Sequence, residues 1–211
     1  MEGQSEVISV AYPASSIQHP VSSIQHLPSK IHSLHPKIPF MLHLFTPVTT
    51  LAFDIDGVLT DGTVLVLPGG VQARKMNIRD GYALQLAVKK GYRVLVISGG
   101  DSPEVKDRLL KLGVTDVFMQ VKNKAGKLQQ FMDDNNIMRE QVLFMGDDIP
   151  DLEVMELAGL ACCPADAVQE IRAISIYISH LNGGAGCARD VIEKVMKLRG
   201  NWTNDTSVQA R

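Results

Sequence analysis

From Thr49 onward the chain repeats one pattern: a short, largely apolar run, then a turn, then a stretch with helical character. The runs are TTLAFDID, RVLVIS, DVFMQ, VLFMGD, LACCP and ISIYIS. Apolar runs of this length, bounded by turn residues, suit strands buried on both faces. Helices fit the gaps at Gly81 to Lys90, Pro103 to Leu112, Lys124 to Asn135, Pro150 to Ala158 and Cys187 to Leu198. Ser102-Pro103 reads as a helix start, a capping hydroxyl followed by proline in the first turn. Strands alternating with helices imply a parallel sheet and a doubly wound, Rossmann-like α/β fold. Such folds bind ligands beyond the carboxyl ends of the strands.

The residues at those ends carry chemistry. The first run ends in Asp54-Ile55-Asp56-Gly57, the second in Ser98-Gly99-Gly100, and the fourth in Gly146-Asp147-Asp148, with Asp151 one helical turn on. Lys124 follows the third run at the start of a helix. Carboxylates brought to one crevice repel and raise each other's pKa unless a cation joins them. Oxygen donors with few sulfur or imidazole groups nearby select Mg²⁺ over Zn²⁺. Lys122 and Lys127 compete with Lys124 for any role facing an anion. His180 is the one histidine of the region from Thr49 onward, which excludes most schemes that rely on histidine as acid and base. No GxxxxGK[ST] loop is present, which argues against a P-loop ATPase. The remaining nucleophiles are carboxylates and Ser98. A carboxylate can attack phosphorus to form an aspartyl-phosphate, and Asp56 could protonate the leaving alkoxide and then activate water. Mg²⁺, Lys124 and Ser98 would stabilise charge on the transferring phosphoryl group.

The flanks read differently. Residues 1–47 hold six of the ten prolines and five of the six histidines, with an imperfect repeat, SSIQHPV then SSIQHLP. We read them as a flexible tail, because the prolines deny the histidines an ordered helix on which to bind metal. Met41 is an alternative start. Residues 200–211 are polar and read as a disordered tail. The formal net charge of -2 argues against a nucleic-acid surface. No run reaches the ~18 apolar residues of a membrane span, and the acidic start lacks a secretory signal. The three cysteines, Cys162, Cys163 and Cys187, read as buried thiols in a cytoplasmic protein. With no secretory signal, the two N-x-T sites near the end carry no weight.

The chain resembles the haloacid dehalogenase superfamily of phosphatases over about Thr49 to Leu198. Asp54-Ile-Asp56-Gly-Val-Leu-Thr is similar to its first motif, and Ser98, Lys124 and the run GDDIPD to its second, third and fourth. The resemblance implies that Asp54 is the nucleophile and Asp56 the acid–base residue. It implies that Asp54, the Asp56 carbonyl and Asp147 hold Mg²⁺, with Asp148 and Asp151 auxiliary. Ser98, Gly99 and Lys124 would bind phosphate. Between Asp56 and Ser98 there is room for a hairpin and a helix, and between Lys124 and Gly146 for one helix, so no cap domain fits. VLVLPGGVQARKM reads as that hairpin, turning at Pro68-Gly69-Gly70. Without a cap the site is open in a monomer, so either the substrate is large or a neighbouring subunit closes the site; the gain from excluding water favours the second for a small substrate.

DGVLTDG from Asp56, NIRDGYAL from Asn77 and GGAGCARDVIEKV from Gly183 narrow the resemblance to the capless 3-deoxy-D-manno-octulosonate 8-phosphate phosphatases. That family implies a homotetramer whose hairpins build a shared mouth, a role in lipopolysaccharide biosynthesis, and Arg79 and Asp80 near the sugar acid. An arginine at such a position can pair a carboxylate with two hydrogen bonds. Gly100 and Ala185 stand where the family often has arginine, which leaves a nine-carbon, sialic-acid-type sugar phosphate as an alternative substrate. Two other classes remain: a phospho-accepting receiver domain, which has no use for an acid at Asp56, and a silent scaffold, which would have lost some of Asp54, Asp56 and Asp147.

Overall fold

The computed structural model describes residues 41–208 of the 211-residue chain. The expectations about the proline- and histidine-rich segment before Met41 therefore lie outside the described residues.

Six parallel strands form the central sheet: β1 (Thr50–Phe53), β4 (Arg93–Ile97), β5 (Asp116–Phe118), β6 (Val142–Met145), β7 (Leu160–Cys163) and β8 (Tyr177–Ile178). Their spatial order is β5-β4-β1-β6-β7-β8. Each predicted apolar run supplies one of them. A separate antiparallel pair, β2 (Leu65–Val66) and β3 (Gln72–Ala73), is the expected hairpin, turning through Pro68–Gly70. The helices are α1 (Ile78–Lys89), α2 (Pro103–Lys111), α3 (Lys124–Asn135), α4 (Leu152–Leu157), α5 (Gln169–Ile174) and α6 (Cys187–Leu198).

Alternation along the strands divides the core in two. Leu51, Phe53, Val94, Val96, Leu143 and Met145 face α1, α2 and α6, and are buried with Leu84, Leu109 and Ile192. Ala52, Leu95, Ile97 and Phe144 face α3, α4 and α5, and are buried with Leu128, Met155 and Ile171. The strands are apolar on both faces because both faces are covered. All three cysteines are free and buried in these layers. β1 pairs with β4 on one side and β6 on the other, so the chain reverses its winding direction at β1. Residues just after β1 therefore sit at the point where such sheets open a crevice.

Four expectations need correction. The ordered region begins before residue 48. Phe45 and Val48 are buried, and the Phe45 ring meets Tyr177 edge-on at 5.5 Å, because the apolar cluster from Met41 to Phe45 has a core surface to cover. Residues 200–208 also pack against the domain. Trp202 lies edge-on to Tyr82 at 6.3 Å, the Tyr82 hydroxyl donates to the Asp205 carbonyl, and Lys89 pairs with Asp205 at 2.7 Å. Trp202 and Val208 pack against the core and anchor this otherwise polar segment. Helix α5 went unread, since six residues are too few to display a helical period and its isoleucines merge with the run that becomes β8. Ser102 does precede α2, but its side chain caps nothing.

Candidate active site

The loop after β1 leaves the sheet with Asp54 extended and turns at Gly57, whose φ is +84°. A side chain at Gly57 is excluded twice over, by that φ and because a Cβ there would stand 1.9 Å from the Asp147 carboxylate. The close approach brings the loop after β1 against the loop after β6. A Cβ on Gly183 would likewise stand 1.9 Å from the Gly57 carbonyl, so the loop before α6 packs directly beneath this turn. Both glycines thus serve close approach, Gly57 to a side-chain carboxylate and Gly183 to a backbone carbonyl.

Asp54, Asp56, Ser98, Gly99, Lys124, Asp147, Asp148 and Asp151 all line one cavity of about 320 Å³, together with Gly100 and Lys122. Asp54 and Asp151 are buried and Asp147 is half-buried. Lys124, itself buried at the start of α3, bridges them: its Nζ lies 2.6 Å from Asp151 Oδ1 and 3.1 Å from Asp54 Oδ1. This singles out Lys124 over Lys122 and Lys127. Asp151 accepts from the Asp147 N–H through its other oxygen, so both its oxygens are engaged within the protein. Ser98 is buried, and its Oγ accepts the N–H of Gly100 at 3.2 Å. Asp148 is exposed and accepts the N–H of Ile149, which makes it the rim of the site.

The electrostatics explain why these residues need a further partner. Burial and then the Asp151 carboxylate push Asp54 up to about 7, against the pull of Lys124. Burial, then Asp54 and Asp151, push Asp147 up to about 7. Burial works to lower the Lys124 pKa, but Asp54 and Asp151 outweigh it and hold it above the ordinary value. One lysine does not neutralise three carboxylates whose oxygens come within 4.8 Å of one another. Asp147 Oδ1 is buried without a hydrogen bond, and Asp54 Oδ1 lies off the hydrogen-bonding direction of Lys124. Hard oxygen donors left unspent at this spacing fit a divalent cation such as Mg²⁺.

Two expected residues lie elsewhere. Asp80 is buried in α1, where its carboxylate accepts the Arg189 N–H at 2.7 Å and so caps α6. Burial pushes it up to about 6, held back by the Arg189 and Gly186 N–H groups. Arg79 is exposed, on a separate groove with His180, Ala185, Arg189 and Lys194. Within the single chain neither residue lines the cavity around Asp54. The reason is helical geometry: Asp80 points inward from α1 toward α6, and Arg79, one residue back, points out.

Sequence reasoning missed Arg74. It sits just after β3, on the return arm of the hairpin, and its Nε and Nη2 donate to the two oxygens of Asp56 at 2.7 and 3.1 Å. Its neighbour Lys75 points the other way and pairs with Asp61 at 2.8 Å. The available signal was the alternation of ARK in an extended arm, which sends Arg74 and Lys75 to opposite sides.

Comparison with known proteins gives the chain's family. Residues 111–189 match the haloacid dehalogenase-like hydrolase family. The chain is 30% identical over 165 residues to the 3-deoxy-D-manno-octulosonate 8-phosphate phosphatase of Salmonella typhimurium, covering 78% of this chain and 88% of that protein. The chain belongs to this phosphatase family. Solved structures from the family superpose well. The Moraxella catarrhalis phosphatase, crystallised with magnesium, phosphate and the sugar acid, gives a TM-score of 0.75 at 27% identity, covering 78% of this chain and 94% of that one. The cobalt-bound Haemophilus influenzae phosphatase gives 0.71 at 26% identity, covering 74% and 92%. The six-stranded sheet with its flanking helices, described above, is the fold that these structures share.

Proposed function

We propose that this chain is a Mg²⁺-dependent phosphatase that converts 3-deoxy-D-manno-octulosonate 8-phosphate to the free sugar acid and phosphate. The observation that carries the reading is the group of Asp54, Asp147 and Asp151 around Lys124, at the point where the sheet reverses direction. Asp54, Asp147 and the Asp56 carbonyl would hold the cation, which when bound offsets charge on the phosphoryl oxygens. Asp54 attacks phosphorus, the bond from phosphorus to the sugar oxygen breaks, and Asp56 gives that oxygen a proton. A water then attacks the aspartyl-phosphate, with Asp56 taking its proton, and phosphate leaves with Asp54 restored. Lys124 holds a phosphoryl oxygen, and Ser98 with the backbone of Gly99 holds another. Asp151 keeps Lys124 aimed at Asp54.

The family's name for its substrate supports the eight-carbon sugar phosphate. Gly100 in the cavity and Ala185 in the outer groove offer no positive charge to the substrate, which keeps a nine-carbon acidic sugar phosphate as the second reading. Val64, Leu65, Val66, Leu67 and Val71 leave the hairpin's apolar surface exposed, which supports a homotetramer in which copies cover one another's hairpins. We read the enzyme as cytoplasmic, supplying lipopolysaccharide synthesis; among the described residues no helix is long and apolar enough to cross a membrane. A phosphate-release assay over acidic and neutral sugar phosphates, with Mg²⁺ and with chelator, tests the reading. Fastest release from the eight-carbon substrate is expected, and only with the metal. Faster release from a nine-carbon acid would move the assignment to the second reading, and no release from any ester would refute both.

A further inference from the structure

We propose that Arg74 is the positioning residue for Asp56, holding its carboxylate in the orientation from which it serves the leaving oxygen. The inference rests on the acid–base role proposed for Asp56. The pairing is two-pronged, with Nε on Oδ1 at 2.7 Å and Nη2 on Oδ2 at 3.1 Å, and such a fork fixes the plane of a carboxylate as well as its place. Asp56 needs that help. It follows β1 in an extended conformation, and among the described residues its carboxylate receives, besides Arg74, only a long contact from the Thr60 hydroxyl, at 3.4 Å.

The two partners differ in burial in the sense the proposal requires. The Arg74 side chain is 6% exposed and that of Asp56 36% exposed, so the guanidinium is the fixed base and the carboxylate faces the cavity. Burying a guanidinium is costly unless its partner compensates. Among the described residues Asp56 takes all the side-chain hydrogen bonds of Arg74, and Nη1 is buried with no acceptor. An arginine kept only to pack the hairpin would do better as an apolar residue. Gly100 leaves the room: a Cβ there would already touch Asp56 Oδ2 at 3.4 Å and Arg74 Nη2 at 3.7 Å, so a long side chain would have to displace the guanidinium. The hairpin is therefore more than a cover for the mouth. Its return arm reaches the reacting centre of its own chain.

The test uses the dependence on leaving group and is read in the first turnover, before the water attack that also uses Asp56 and is common to both substrates. A sugar alkoxide needs a proton as it departs, whereas nitrophenolate departs without one. Arg74→Ala should lower the first-turnover rate of sugar release about tenfold to a hundredfold, part of what a general acid contributes. First-turnover release of nitrophenolate from p-nitrophenyl phosphate should fall less than about threefold. Arg74→Lys, which keeps the charge but not the fork, should fall between the wild type and Arg74→Ala. Lys75→Ala, which breaks the exposed pair on the same arm, should leave both substrates unchanged and controls for a loosened hairpin. Equal losses on the two substrates for Arg74→Ala, with Asp56→Asn losing selectively on the sugar phosphate, would overturn the proposal alone. Equal losses for Asp56→Asn would remove the acid role of Asp56 and this proposal with it.

Discussion

Among the described residues, the carboxylates whose pKa burial raises lie in two places. Asp80, between α1 and α6, is raised to about 6, while Asp54 and Asp147, beyond β1 and β6, reach about 7. Burial is the largest cause at all three. The other neighbours differ in sign. Around Asp80 they are attractive: the Arg189 and Gly186 N–H groups at the start of α6 and the charge of Arg189. Around Asp54 and Asp147 they include further carboxylates, with Lys124 alone opposing them. A helix end satisfies the first arrangement from within the fold, whereas the second is completed only by something added. A buried acid alone therefore does not mark a site; a buried acid facing other acids does.

The sharpest way to break this comparison is Asp54→Asn. If Asp54 is the nucleophile, turnover should drop to background while circular dichroism stays native. Residual phosphatase activity in a pure sample would take the nucleophile role from Asp54.

The next effect is in pH dependence. The folded, metal-free chain keeps protons on Asp54 and Asp147 that the unfolded chain, with ordinary carboxylates near 3.8, has released. Its stability should therefore fall as pH rises from about 4 to about 7 and level off above. Mg²⁺ requires the ionised forms, so the rise in melting temperature on adding it should be larger at pH 8 than at pH 5.5. Asp147→Asn should flatten the metal-free profile and remove the response to Mg²⁺. Thermal melts across pH, with chelator and with metal, check this; a Mg²⁺ response that does not change with pH would contradict it.

Asp80→Ala should behave in the opposite way. Leaving the start of α6 without its acceptor should cost about 1–3 kcal/mol of stability, read from urea melts. The KM should not change and the response to Mg²⁺ should persist. A raised KM with normal stability would return Asp80 to the substrate-facing role that the family resemblance implied. The smallest effect is expected from removing residues 1–40, which should leave kinetics and assembly nearly as they were. Loss of folding would show that this segment belongs to the domain.

The architecture was legible because burial on both faces of a parallel sheet leaves near-continuous apolar runs, which the sequence displays directly. The same holds for Asp54, Asp56, Ser98, Lys124 and Asp147: each stands at the end of such a run or at the helix that follows one, and parallel strands bring their ends together. The short helix α5 and the anchoring of residues 200–208 by Trp202 were not legible. Six residues carry too little periodicity, and a lone aromatic does not announce its partner.

What the sequence by itself determined is therefore the order of the elements and the identity of the acids at the strand ends, since both follow from local pattern. Only the tertiary structure decided which neighbour each charged group would meet. It gave Asp80 to a helix end, Lys124 to Asp54 and Asp151, and Arg74 to Asp56. Those pairings join residues distant along the chain, and their energies depend on distances that exist only once the layers have packed.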